Sequence, residues 1–147
     1  MKIRIMTLSI LVVCGLAGSS ASALAQSNGH CSNRTLSGNY GWAAEGVLLP
    51  APGVSLQFRS IGVTTFDGAG TATWVEHTVI AGTLVAPGWT AASGTYTVNA
   101  NCTGTMVINT PNSPVPLVLG FVVVRHGQEL RTLLDTDAIA SVYIKVE

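Results

Sequence analysis

The stretch Gly94 to Gly104, GTYTVNANCTG, constrains this chain most, because it joins two strand-forming runs through a turn that carries a cysteine. Thr95 to Val98 are strand formers. Asn99, Ala100 and Asn101 tolerate left-handed or bridge conformations, and Thr103 to Thr110 starts a second β-rich run. A hairpin pinned at its turn by Cys102 is the expected result.

Similar runs extend to both sides. Leu36 to Leu49 alternates Tyr40, Trp42 and Ala44 with Asn39, Gly41, Ala43 and Glu45, and Pro50-Ala51-Pro52-Gly53 stops it. Val54 to Phe66 carries Leu56 and Phe58 on one parity but Ile61 and Val63 on the other, which suggests a bulge near Ser60 and Gly62. Asp67-Gly68-Ala69-Gly70 reads as a hairpin turn into Thr71 to Ile80. A short strand is expected at Thr83 to Val85, followed after the central hairpin by a Pro-rich loop from Thr110 to Pro116. Leu117 to Arg125, Glu129 to Leu134 and Ile139 to Val146 complete the series. No helical period interrupts it. The expected fold is all-β: a small closed antiparallel meander barrel of about seven or eight strands, with a β-sandwich as the alternative. Leu117 to Val124 is apolar on both parities, so one face should line the barrel and the other invites a neighbouring subunit, a possible homo-oligomer.

Lys2 and Arg4, an apolar run from Ile5, and Ala23-Leu24-Ala25 before Gln26 form the pattern of a secretory signal peptide, residues 1–25. A retained anchor and a lipoprotein centred on Cys14 are the alternatives, the latter weakened by the bulky Val13 before it. Residues 26–147 are one domain's worth. Without Lys2 and Arg4, five basic residues face seven acidic ones, and no basic field remains to hold nucleic acid. No basic amphipathic helix suggests a membrane surface, and no stable membrane insertion is expected after cleavage. The protein is expected to be secreted or periplasmic, where Cys31 and Cys102 are most simply a disulfide; a metal pair or a catalytic thiol needs further ligands or an activating base.

No GxSxG elbow, HExxH, Walker or dinucleotide fingerprint is present, and neither metal nor cofactor is expected. Asp135 and Asp137 could chelate calcium, but without the rest of an EF-hand-like loop they read as a solvated turn. The strand-borne polar groups Glu45, Arg59, Glu76, His77 and Tyr143 stand out. Glu76 and His77 are adjacent, so one faces inward and the other outward. Were Glu76 to share the lumen with Glu45, the pair could hold or protonate a small ligand; the alternative places both acids outside or at the barrel rim, in water. Tyr40, Trp42, Phe58, Trp74, Trp89 and Tyr96 are candidates for an aromatic-lined cavity or for core filling.

Three segments carry a resemblance as a set: CSNRTLSGNYGW (Cys31 to Trp42), TTFDGAGTAT (Thr64 to Thr73) and GTYTVNANCTGTM (Gly94 to Met106), followed by a hydrophobic strand and Gln128 to Arg131. Together they resemble a family of small secreted bacterial proteins with no established activity, distantly similar to barrels of the allene oxide cyclase type within the calycin-like shape. The resemblance implies a barrel and a Cys31 to Cys102 bridge, and it supplies no catalytic residue. Asn101 departs from the pattern, which more often has Asp there. The expected role is structural or the binding of a small apolar ligand. The rivals are a cofactor-free cyclase or isomerase using Glu45, Glu76 or Tyr96 for proton movement, and an envelope or adhesion component.

Overall fold

A computed structural model of the protein describes residues 30–146; the signal-peptide expectation falls outside them. The described strands are β1 (Ser37–Ala51), β2 (Val54–Asp67), β3 (Thr71–Ile80), β4 (Thr83–Leu84), β5 (Thr90–Val98), β6 (Thr103–Asn109), β7 (Leu117–Val124), β8 (Glu129–Leu134) and β9 (Ala138–Lys145). All pairings are antiparallel, and β1 pairs with both β2 and β9, which closes the ring. The result is a closed eight-stranded barrel, with β4 added at the side of β3. Closure leaves no long unpaired edge, as a meander of short hairpins requires and an open sandwich does not provide.

Side chains alternate strictly on β2, and here the structure departs from the sequence reading. There is no bulge at Ser60 or Gly62: β2 keeps unbroken register with β1 from Asp67 to Leu56, and the shift comes only between Leu48 and Ala51, beside Pro50. Phe58, Ser60, Thr64 and Phe66 face inward, while Ile61 and Val63 are exposed outside. At position 62 the inward residue is glycine because the Trp42 ring needs the room. A Cβ on Gly62 would lie 2.5 Å from the Trp42 ring and 2.3 Å from the Val75 carbonyl oxygen.

The barrel has two unlike ends. At one, the buried side chains of Leu36, Tyr40, Phe66, Tyr96, Met106 and Leu130 fill the interior. The segment before β1 plugs this end, and Cys31 is bridged to Cys102 in the β5–β6 turn. Asn33 fixes the plug by donating from Nδ2 to the Ala69 carbonyl (3.1 Å) and accepting at Oδ1 from the Val98 N–H (2.8 Å). The Tyr96 hydroxyl donates to the Leu36 carbonyl at 3.1 Å, and that of Tyr40 to the Gly127 carbonyl. Asp67 organises the adjacent turn: its Oδ1 accepts from the N–H groups of Ala69, Gly70 and Thr71, and these bonds hold its pKa down to about 2.

All three tyrosines of the chain are buried, Tyr40 and Tyr96 at this end and Tyr143 farther along the barrel. Burial pushes the Tyr143 phenol up to about 12. It does the same for Tyr96, where the Asp67 charge adds to it, and it raises Tyr40. A phenol whose folded pKa is raised contributes stability that is complete below its unfolded pKa of 10 and lost as pH climbs toward 12. Phenolate absorbance and circular dichroism followed together should therefore show no tyrosine ionising near pH 10 in the folded protein. All three should ionise with unfolding at higher pH. A one-tyrosine step near 10 with the fold intact would contradict the burial.

Candidate functional site

The opposite end of the barrel is hollow. Trp42, Ala44 and Leu48 of β1, Phe58 of β2, Trp74, Glu76 and Thr78 of β3, and Ile139, Ser141 and Tyr143 of β9 stand on inward positions around a cavity of about 260 Å³. The β6–β7 loop, with Asn112 and Val115, and Asp137 in the β8–β9 turn complete its mouth. The difference between the ends follows from residue size. Near the plug, rings and long side chains meet across the axis, whereas farther up Ala44, Ser60, Thr78 and Ser141 cannot span it.

Glu76 is the charged group that β3 turns into this lumen, and His77 faces out, against the exposed ring of Trp89 at 5.6 Å. The adjacency of the two thus resolves as strand geometry requires. Glu76 Oε1 accepts from the Thr110 hydroxyl (2.7 Å) and from Asn112 Nδ2 (3.0 Å). Both donors come from the loop that follows β6, and they set the carboxylate against the cavity wall. Sequence reasoning passed over both, because they lie 34 and 36 residues from Glu76 in a stretch that reads only as a Pro-rich loop.

Trp42 stacks on Tyr143, with centroids 5.6 Å apart and planes at 25°. Trp74 Nε1 and the Thr64 hydroxyl are buried beside the Tyr143 phenol, while Trp42 Nε1 is buried with no hydrogen-bond acceptor among the described residues. Such orphans are rare in protein interiors. Beside Tyr143, the polar groups of Trp74, Ser141 and Thr64 oppose the effect of burial on its phenol, and the Glu76 charge reinforces it.

Several candidates fall elsewhere. Glu45 does not share the lumen with Glu76. It lies on the outer parity of β1, directly across from Arg59 on β2, where the two are largely exposed and paired at 3.7 Å. The acid pair therefore does not form. Tyr96 belongs to the plugged end, with its hydroxyl committed to the plug, and Tyr40 packs there too. Trp42, Phe58 and Trp74 are the aromatic candidates that reach the cavity. Asp137 serves its turn, accepting from the Leu49 N–H at 2.7 Å. Asn101 accepts at Oδ1 from the N–H and hydroxyl of Thr103, a turn-holding role that an amide fills as well as a carboxylate. The Cys31 to Cys102 disulfide is present, and such a bridge is consistent with an extracellular or periplasmic location.

No family model matches this chain, and neither a curated protein nor a solved structure does.

Proposed function

We propose that this is an exported barrel that holds a small, largely apolar ligand in the hollow end of its lumen. The observation that supports it is the cavity of about 260 Å³ between Trp42, Phe58, Trp74 and Tyr143, open at the mouth and sealed below by the plugged core. A structural module has no need of such a hollow, which forfeits packing contacts. Binding is favoured over cyclase or isomerase chemistry by the groups themselves. Of the three side chains suggested for proton movement, only Glu76 lines the cavity, Glu45 being outside and Tyr96 at the other end.

The remaining parts of the reading belong with it. Export with cleavage after Ala25 accounts for a bridge that needs an oxidising compartment. The likeness to allene oxide cyclase-type, calycin-like barrels accords with an eight-stranded meander, although a barrel by itself carries no activity. Val118 and Val122, on the outer face of β7, are 38% and 42% exposed and suit a contact between copies of the chain.

Native mass spectrometry of protein taken from its own compartment tests these points together. The expected spectrum shows a chain beginning at Gln26, its copy number, and a bound small mass released on denaturation. A ligand-free spectrum, together with tryptophan fluorescence unmoved by saturating toluene, would overturn the binding reading.

A further inference from the structure

Deepening that reading, we propose that the lumen selects a compact organic cation, an aromatic or alkyl ammonium compound whose charge lies beside Glu76 and whose apolar body lies among the rings. Charge is the first ground. Glu76 and Asp137 are the ionisable carboxyl groups in the cavity wall, and among the described residues no lysine, arginine or histidine lines it. The exported acids Glu45 and Glu129 are paired with arginines, but Glu76 has no ion pair among the described residues. Thr110 and Asn112 hold its carboxylate in place without cancelling its charge. An uncompensated carboxylate in a largely apolar cavity is costly, and a cationic ligand supplies what the fold omits.

The aromatic wall is the second ground. Trp42, Phe58, Trp74 and Tyr143 surround the same space, and aromatic faces attract ammonium groups through their quadrupole. Size narrows the class further. About 260 Å³ lies just below the roughly 300–1,000 Å³ typical of drug-sized sites, so one ring with a short side arm fits better than a long chain. Anionic ligands meet two like charges and no counter-charge.

The test uses three probes of nearly equal shape: phenethylamine, 2-phenylethanol and 3-phenylpropionate, titrated calorimetrically into the wild-type chain at neutral pH and low salt. The amine should bind about tenfold more tightly than the alcohol, equivalent to about 1.4 kcal/mol, with the carboxylate weakest. In Glu76→Gln, whose amide oxygen still accepts from Thr110 and Asn112, the amine should fall to the level of the alcohol, and a melting curve verifies that the variant is folded. Equal affinities for amine and alcohol in the wild type would overturn the cation proposal while leaving the apolar-ligand reading intact. No binding of any probe by the folded protein would overturn both. A preference for the amine that survives in Glu76→Gln would overturn the role given to this carboxylate.

Discussion

Replacing Cys31 and Cys102 together by serine should lower stability by about 4 kcal/mol, because the bridge closes a loop of 71 residues and so removes much of the unfolded chain's freedom. For a domain of this length the loss corresponds to a melting temperature lower by on the order of 10–20 °C. Thiol reductant should shift the wild-type protein by a similar amount and leave the double variant unmoved. The effect should fall first on the plug. Without the bridge, that segment is held by the Cys31 N–H on the Ala100 carbonyl at 3.2 Å, by the two bonds of Asn33, and by the Tyr96 hydroxyl on Leu36. Hydrogen exchange should accordingly rise at residues 31–36 and in the β5–β6 turn before it rises at the mouth. A change in melting temperature of only a few degrees would mean that these bonds and the burial of Leu36 hold the plug without help from the sulfurs.

Strand order and boundaries were legible because each turn carries its own chemistry. Asp67-Gly68-Ala69-Gly70, Asn99 to Cys102 and Pro50 to Gly53 stop one strand and start the next whatever surrounds them, and the observed strands begin and end within a few residues of those signals. Closure followed from short connections alone. The inward face of β2 was misread because hydrophobicity was taken as its marker. In this barrel, the outer face also carries Ile61, Val63, Val142 and Ile144, while the inner face needs Gly62 to clear Trp42 and carries the small polar Ser60. The same ambiguity left open whether Glu45 shares the lumen with Glu76 or lies outside. Cross-strand register places it opposite Arg59 outside, and register becomes visible only once the strands are paired. Glu76 was legible as a strand-borne acid on the opposite face from His77, although which of the two faces inward was not. Its partners Thr110 and Asn112 were not, since contacts between distant loops leave no periodic mark.

Phe66→Ala should be the most damaging single truncation in the barrel, at about 3–5 kcal/mol. Phe66 is 1% exposed and is the centre of the plugged end. It meets Tyr40 edge-on at 5.2 Å and Tyr96 edge-on at 5.0 Å, and it leans on Tyr143 at 6.5 Å. Removing the ring loses its transfer free energy and two favourable edge contacts, and the surrounding strands, hydrogen-bonded on both sides, cannot collapse into the void. Phe58→Ala supplies the contrast on the same strand. Its ring is half-buried and borders a space that is already hollow, so truncation enlarges the lumen without creating a new void, and the cost should be about 1–2 kcal/mol. Chemical denaturation of the two variants measures the difference, with Phe66→Leu as a milder substitute if the alanine variant does not fold. Equal losses at 58 and 66 would mean that the two ends are packed alike, and the division of the barrel into a solid base and a receptive mouth would fail.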